Sequence, residues 1–173
     1  MSDDLNFLSA SARLGAVEQL DVPSMELLYR LECSGEDFYN TLADRIGNDD
    51  AADLLRRNGR EELGHANRIK RAIAIKVGAD YEPSGSTLEK LPIALPETIS
   101  VDLLPLVVQG ELDGNAGYQK WADNEPDADV ARLLRLNGRE EVKHGERVTE
   151  AIALMKAGAA DGDQRGHGGR LGI

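Results

Sequence analysis

The sequence predicts an all-α fold, a four-helix bundle made of two duplicated antiparallel hairpins with a long crossover between helices 2 and 3. Four segments carry apolar residues at helical spacing, one hairpin sequence occurs twice, and a proline-containing linker separates the two copies. The 173 residues suffice for one domain with a sizeable core. Because aromatic residues make up only 4%, that core must be built mainly from Leu, Ile, Val and Ala.

Glycine, asparagine and proline mark the ends of the predicted helices. Gly47 and Gly78 end the first and second helices, and Pro126 is expected to be the first residue of the fourth. The predicted helices are residues 24–46, 49–77, 101–123 and 126–157. The resulting boundaries are an N-terminal extension with room for a short outer helix at 1–23, the bundle at 24–157, and a flexible glycine-rich tail at 158–173.

The connection between the second and third helices decides the topology. Residues 78–100 contain Pro83, Pro92 and Pro96 and are therefore predicted to be a linker. A linker of about 20 residues spans at most roughly 65–70 Å, whereas a helix of about 29 residues is roughly 43 Å long. The linker can return along the whole bundle, so helix 3 is predicted to run parallel to helix 2. The other two connections are short and make antiparallel hairpins.

The two hairpins are copies of one another at an offset of 79 residues. LLRRNGREELGH at 54–65 aligns without gaps with LLRLNGREEVKH at 133–144 and is identical at nine of twelve positions. On the partner helices, Glu32 aligns with Glu111. Two such copies predict the halves of one bundle, related by a pseudo-two-fold axis.

Each copy carries one Glu-x-x-His pattern, which puts a carboxylate and an imidazole one turn apart on one helix face. A further glutamate lies 30 residues upstream of each pattern, on the partner helix. One Glu from each of two helices and a Glu-x-x-His from each of the other two form a dinuclear metal site in a bundle core. The predicted ligands, in two equivalent halves, are Glu32, Glu62 and His65 from the first copy and Glu111, Glu141 and His144 from the second.

The charges of these residues match a pair of divalent ions. Four ionised glutamates and two divalent ions form a neutral cluster that a dry core tolerates, whereas four buried carboxylates without metal are costly. Oxygen and imidazole ligands without thiolate suit two iron or manganese ions, with zinc as a mis-metallated alternative. The competing interpretation, a surface Glu and His preserved by duplication, does not account for Glu32 and Glu111, which lie among apolar and small residues.

Several neighbouring residues are candidates for ligand or supporting roles. Glu61 and Glu140 compete as ligands but lie about 100° round the helix from the favoured glutamates. Glu36 is either an extra ligand or a surface acid. Tyr39 and Tyr118 lie two turns beyond the upstream glutamates, where a phenol either hydrogen-bonds a ligand carboxylate, quenches a radical, or simply fills the core.

Four further side chains, one turn or two from the Glu-x-x-His patterns, are expected to support the ligands. Asn58 and Asn137 are predicted to hold carboxylates across the bundle. Arg68 and Arg147 are predicted to form salt bridges at its outer edge.

Composition excludes several other classes of protein. A net charge of −11 argues against nucleic acid or an anionic membrane as partner. Cys33 is the only cysteine, which excludes an intramolecular disulfide and a cysteine-rich metal site. The acidic N-terminus lacks the features of a secretory signal, and no apolar run is long enough to cross a bilayer. A cytoplasmic protein is therefore expected.

The ligand pattern resembles that of the ferritin-like di-iron carboxylate superfamily, and within it the rubrerythrin-like group, over about residues 24–157. The resemblance implies two iron ions that bind O2 or hydrogen peroxide and cycle between ferrous and ferric states. It also implies a homodimer, a common state of such bundles. Tyr39 occupies a position where rubrerythrins carry a tyrosine beside the metals. Iron storage or oxidative-stress defence is the expected purpose.

Two departures from the rubrerythrin pattern shift the expected reaction. Gly114 stands one turn after Glu111, where rubrerythrins carry another glutamate, and a C-terminal rubredoxin domain is not found. These departures favour a ferroxidase, or an oxidation that uses another electron donor, over a standard rubrerythrin peroxidase. The alternatives are a manganese catalase-like enzyme, a demethoxyubiquinone hydroxylase-like enzyme, which uses an apolar membrane-binding surface not found here, and a non-catalytic metal-binding cargo or carrier protein.

The end of the chain carries a second resemblance. Residues 168–173, GGRLGI, are similar to the C-terminal peptides that load ferritin-like cargo into encapsulin shells, with Leu171 and Ile173 as alternating apolar anchors. The resemblance implies an encapsulin shell protein as partner and a location inside its compartment. The alternative is an ordinary tail that ends in two apolar residues.

Overall fold

The computed structural model of the protein describes residues 5–166, with side chains up to residue 160. This part of the chain consists of helices joined by turns and loops and contains no strand, so the predicted all-α class is confirmed. The elements are α1 (Phe7–Gly15), α2 (Val22–Arg45), α3 (Asp49–Val77), α4 (Leu104–Asp123) and α5 (Ala128–Gly166), with 3₁₀ turns at Gly85–Leu88 and Val101–Leu103.

The helices α3 and α5 pack against each other and set the direction of the bundle. Asn58 of α3 contacts the backbone of His144, and Asn137 of α5 contacts the backbone of His65, so the two helices run antiparallel. α2 pairs with α3 in one hairpin and α4 with α5 in the other. α4 therefore runs parallel to α3, as the length of the crossover predicted.

Side-chain caps set the starts of four helices. Asn6, Asp21, Asn48 and Asp127 each accept a hydrogen bond from the backbone N–H three residues later, at 3.0, 2.8, 3.0 and 3.1 Å. The prediction that Pro126 is the first helical residue is wrong, because the cap at Asp127 starts α5 after it. Gly78 ends α3 in the left-handed conformation, with φ of 67°, as the stop signal predicted.

The last helix is longer than the sequence predicted. α5 runs to Gly166 rather than to about Ala157, so residues 158–166 are helical where a flexible tail was expected. Gly158 does not end the helix; it lies inside it, and a Cβ there would be 3.5 Å from the Asn48 amide. The alanines around it favour continued helix. The GGRLGI segment lies outside the described residues.

The short helix α1 spans a gap between α2 and α4. Within the described chain no Cα of α2 lies within 8 Å of a Cα of α4, whereas α1 packs on both. Phe7 stacks on Phe38 of α2, with ring centroids 4.8 Å apart. The indole N–H of Trp121 on α4 donates to the carbonyl of Val17 at 2.9 Å. α1 is the predicted outer helix, and it forms part of the core because Leu14 is fully buried.

Apolar side chains fill both ends of the bundle and leave a polar layer between them. One cluster includes Leu28, Ile69 and Leu134, and the other includes Leu42 and Leu55. The polar residues of the central layer are as buried as the apolar ones, except Glu111, whose side chain is 12% exposed. Among residues 5–166, no helix is both long and apolar enough to cross a membrane.

Candidate metal centre

The six predicted ligand side chains converge in the central layer, where α2 and α4 each contribute one glutamate and α3 and α5 each contribute a Glu-x-x-His. Ligand atoms of the two Glu-x-x-His patterns all lie within 4.8 Å of one another. The remaining two glutamates approach one histidine each. The cluster consists of Glu32, Glu62, His65, Glu111, Glu141 and His144.

Carboxylate oxygens surround the Nδ1 atom of His65 on three sides. The distances from this nitrogen are 3.4 Å to Glu32 Oε2, 3.4 Å to Glu62 Oε2 and 3.3 Å to Glu141 Oε1. Donor atoms bound to one ion about 2.0–2.2 Å away are spaced at about such distances. The geometry therefore fits one ion beside His65.

The second histidine has the same surroundings. His144 Nδ1 lies 3.3 Å from Glu62 Oε1, 3.3 Å from Glu141 Oε2 and 3.7 Å from Glu111 Oε2. Glu62 and Glu141 thus present one oxygen to each imidazole, while Glu32 and Glu111 each approach a single imidazole. The two halves predicted as equivalent therefore share their central glutamates, because antiparallel α3 and α5 bring Glu62 and Glu141 together between the histidines.

Two features of this cluster fit a pair of metal ions. The Nδ1 atoms of His65 and His144 are buried and have no hydrogen-bond partner. Within the described part of the chain, no lysine or arginine nitrogen lies within 4.0 Å of the four carboxylates, although the side chains are only 6–12% exposed. Buried carboxylates without a lysine or arginine partner and imidazole nitrogens without a hydrogen-bond partner are a costly combination that bound metal cations would relieve.

The outer nitrogens of the two histidines are held by the glutamates that the sequence offered as competing ligands. His65 Nε2 lies 3.1 Å from Glu140, and His144 Nε2 lies 3.2 Å from Glu61. Both carboxylates therefore lie on the side of the imidazole away from the ligand cluster. The competing assignment is thus not supported, and each glutamate supports the histidine of the other repeat.

Arginines close the outer edge of this network. Arg68 donates two hydrogen bonds to Glu140, at 2.8 and 2.9 Å, and Arg147 donates two to Glu61, at 2.7 and 3.1 Å. This arrangement matches the expected salt bridges. The His65 imidazole and then Arg68 lower the pKa of Glu140 to about 2, so this carboxylate is ionised beside the imidazole.

The two asparagines support the backbone instead of the carboxylates. Asn58 donates to the carbonyl of His144 at 3.1 Å, and Asn137 donates to the carbonyl of His65 at 3.3 Å. Their side-chain oxygens accept from the arginines of the outer network. The prediction that they hold ligand carboxylates is wrong, because their side-chain amides are hydrogen-bonded to the backbone of the facing helix and to the arginines instead.

Glu32 and Glu111, the end glutamates that each approach a single imidazole, accept hydrogen bonds from Tyr118 and Tyr39. In both pairs the tyrosine belongs to the other copy of the repeat. Tyr39 of α2 donates to Glu111 of α4, and Tyr118 of α4 donates to Glu32 of α2. Of the roles the sequence left open for these phenols, the hydrogen bond to a ligand carboxylate matches the geometry.

Glu36, which the sequence offered as an extra ligand, lies outside the cluster. Its carboxylate accepts from Lys90 at 3.5 Å.

Protonation differs between the end and central glutamates when the site holds no metal. Burial raises the pKa of Glu32 to about 8 and raises that of Glu111 well above its usual range. Burial also opposes ionisation of Glu62, but the two nearby imidazoles outweigh it and lower the pKa. Burial lowers the pKa of His144, but the surrounding carboxylates outweigh it and raise the pKa to about 12. Metal binding must therefore displace protons from the site.

Two glycines give the central glutamates room. A Cβ at Gly35 would lie 2.9 Å from Glu62 Cγ, and a Cβ at Gly114 would lie 3.6 Å from Glu141 Cγ. Gly114 lies one turn after Glu111 on α4, at the position where the rubrerythrin pattern has a further carboxylate. In this chain that position therefore carries no acidic group.

Comparison with known proteins gives one match. The family model named Rubrerythrin matches residues 25–152, which include all six clustered side chains. Neither the curated proteins nor the solved structures include a match to the chain.

Proposed function

The chain belongs to the rubrerythrin family, and from this premise we propose that it is a di-iron oxidoreductase that oxidises Fe(II) with O2 or hydrogen peroxide. The observation that carries the proposal is the pair of buried, unpartnered Nδ1 atoms, each within 3.3–3.7 Å of three carboxylates, two of which are common to both. Carboxylate and imidazole donors without thiolate suit iron.

Each group of residues has a distinct part in this function. When bound, the two iron ions supply the electrons that reduce the oxidant. Glu62 and Glu141 would each contribute to both metal positions, while Glu32 and Glu111 would each contribute to one. Glu140 and Glu61 keep the outer histidine nitrogens occupied, so that Nδ1 of each imidazole is directed to the cluster.

The tyrosines hold the end carboxylates in place and are the nearest hydroxyl donors to them. Burial raises the pKa of Tyr39 and of Tyr118 well above the ordinary value. Both phenols therefore stay protonated and keep donating to Glu111 and Glu32 at neutral pH.

The absence of an acidic residue at Gly114 supports the ferroxidase over the standard peroxidase reaction. A ferroxidase must release its oxidised iron, and a site with fewer carboxylates attracts the more highly charged ferric ion less strongly. We therefore propose iron storage or defence against oxidative stress as the purpose, with Fe(II) as substrate.

Anaerobic loading with Fe(II), followed by O2 in one sample and hydrogen peroxide in another, tests this proposal. The expected result is a near-ultraviolet absorbance increase from ferric iron with at least one oxidant. The double variant Glu62→Ala/Glu141→Ala should bind no stoichiometric iron, and Glu36→Ala, outside the cluster, serves as the matched control. No absorbance change with either oxidant would reject the oxidase function and leave a metal carrier.

The same loading experiment separates the other reactions. A manganese-loaded sample that dismutates hydrogen peroxide, while the iron form stays inert, would assign a manganese catalase-like function. The donor set itself is shared by these enzymes, so the reaction with each metal decides between them.

The tail and the assembly remain predictions. We propose that residues 168–173 dock in an encapsulin shell and that the bundle dimerises. Deletion of residues 168–173 should abolish co-purification with a co-expressed shell protein while metal binding is retained. Analytical ultracentrifugation of the intact chain measures its mass in solution. The mass of a monomer at all protein concentrations would reject the proposed dimer.

A further inference from the structure

A cavity of about 380 Å³ opens onto the ligand cluster from the side of α2 and α4. Its innermost lining consists of the four clustered carboxylates and the two tyrosines that hydrogen-bond the end glutamates. The cavity exists because α2 and α4 do not approach each other closely, and α1 covers only part of the gap. Volumes of about 300–1,000 Å³ are usual for pockets that bind small organic molecules.

The walls of this cavity are apolar. They are formed by leucines and aromatic rings from three helices and by residues of the crossover. Among the described lining residues the only charged side chains are the four glutamates of the cluster and Asp113, and there is no lysine or arginine. The apolar walls offer an anionic molecule no lysine or arginine to pair with, and Asp113 would repel it, so the cavity selects neutral, apolar molecules.

Glycines on α4 widen the cavity where side chains would otherwise fill it. Gly110, Gly114 and Gly117 all line it. A Cβ at Gly110 would meet no atom within 4 Å, so this position faces open space. Gly110 is also an exposed position at the edge of the cavity, where a larger side chain has room to enter it.

We propose that this cavity binds one neutral, apolar organic molecule, of the size of two or three fused or linked rings, beside the metal centre. The inference deepens the proposed function by giving the oxidoreductase an organic ligand next to its metals, but the binding does not depend on any redox activity. At the mouth, Leu8 is 68% and Leu106 is 72% exposed, so an apolar molecule meets an apolar rim before it enters.

A second copy of this chain is the competing occupant, and the position of α1 argues against it. Phe7 of α1 is stacked on Phe38 of α2, and the carbonyls of Gly15 and Val17 accept from Lys120 and Trp121 of α4. A helix from a partner would have to displace α1 from both contacts before it reached the floor of the cavity. A small molecule needs no such displacement.

Two fluorescent probes test the proposal. N-phenyl-1-naphthylamine is neutral, and 1-anilinonaphthalene-8-sulfonate carries the same rings with a negative charge. Trp121 is the only tryptophan of the chain and lines the cavity, so energy transfer from it to a bound probe reports this site. The neutral probe should bind one per chain and quench Trp121, and the sulfonate should bind at least about tenfold more weakly. Titrations use the intact chain as purified and again after loading with redox-inactive Zn²⁺.

Gly110→Leu should weaken binding of the neutral probe at least about tenfold by filling the cavity. Gly64→Leu is the matched control, because that glycine also meets no atom within 4 Å of a Cβ but does not line this cavity. Unchanged affinity in Gly110→Leu, or equal affinity for the two probes, would overturn the proposal.

Probe binding that appears only when a dimer dissociates would also overturn the proposal, and would assign the cavity to a second copy of the chain. Loss of Fe(II) oxidation with probe binding retained would reject the proposed reaction alone.

Discussion

At the scale of single residues, each histidine of the centre has carboxylates near both ring nitrogens, but only the outer nitrogen is hydrogen-bonded. The inner nitrogen of His65 faces the cluster, and the outer one contacts Glu140, which Arg68 holds in turn. The same chain of contacts runs from His144 through Glu61 to Arg147. An imidazole fixed in this way loses little rotational freedom when it binds an ion, so the outer residues should tune affinity without touching metal.

Glu140→Gln should therefore lower metal affinity about 10- to 100-fold, because the neutral amide supports the His65 imidazole less well. The change also leaves Arg68 without its ionic partner. Competition with a chelator measures the affinity. Glu150→Gln, an exposed position on the same helix, is the control. Equal affinities in the two variants would contradict the role assigned to Glu140.

Tyr118→Phe should destabilise the metal-free chain by about 1–3 kcal/mol, since it leaves the buried Glu32 carboxyl without its hydroxyl donor. Tyr39→Phe should have a similar effect through Glu111. Urea unfolding of each variant gives the free-energy change. Tyr81→Phe, which removes a hydrogen bond to Glu26 nearer the surface, should cost less. An equal or larger cost at Tyr81 would argue against the tyrosine–glutamate pairs.

At the scale of elements, the two hairpins have the same sequence plan but pack at different distances. The backbone of α2 approaches Glu62 of α3 closely at Gly35, whereas α4 leaves more room at Gly114 beside Glu141. Equivalent positions of the repeat are therefore not equivalent in space.

Gly35→Ala should displace the shared Glu62 carboxylate, because its Cβ would lie 2.9 Å from Glu62 Cγ, and metal affinity should fall at least about tenfold. Gly114→Ala should leave the affinity within about twofold, since its Cβ would lie at an ordinary contact distance of 3.6 Å from Glu141 Cγ. Calorimetric titration with Mn²⁺ measures both. The reverse order of affinities would contradict the difference in helix spacing.

The start of α2 offers a pH-dependent test of helix capping. The Asp21 carboxylate accepts from the Ser24 N–H, and hydrogen bonding by the Ser24 side chain, together with this backbone bond, lowers the pKa of Asp21 below 3.8. A pKa lowered on folding stabilises the native state above the unfolded pKa, and the stabilisation disappears as the pH falls through the folded value. Asp21→Ala should cost about 1 kcal/mol at neutral pH and progressively less below pH 3.8.

Urea unfolding at a series of pH values measures this difference. Asp21→Asn, which keeps a capping oxygen but does not titrate, is the control and should lose little stability at neutral pH. A cost of Asp21→Ala that does not change with pH would show that the charge of the carboxylate is not involved.

At the scale of the whole molecule, the polar layer divides the hydrophobic core into two clusters. Apolar packing at each end supplies stability, and the layer between them carries buried charges that favour unfolding when no cation is bound. Folding and metal binding are therefore linked.

Metal ions should accordingly raise the unfolding temperature of the intact chain. At a free metal concentration about 100 times Kd, the stabilisation should be about 2.7 kcal/mol per independent site. Thermal unfolding with and without Zn²⁺ measures it. Without metal, Glu62→Ala/Glu141→Ala should lose less stability than the loss of two packed side chains would cause, because it also removes two buried charges. Zn²⁺ should not raise its unfolding temperature. An equal gain in the variant would place the bound metal elsewhere.

The sequence by itself determined the bundle helices apart from their exact ends, the connections between them, and the six side chains of the centre. Helical spacing puts Glu62 with His65, and Glu141 with His144, on one face regardless of what the helix packs against, and the repeat makes accidental occurrence implausible. Only the tertiary structure decided how these side chains are shared. Which carboxylate oxygen meets which imidazole depends on the rotation and offset of α3 against α5, and no local spacing specifies either. For the same reason the supporting contacts made by Glu61 and Glu140, and the cavity between α2 and α4, belong to the packing of helices rather than to any one of them.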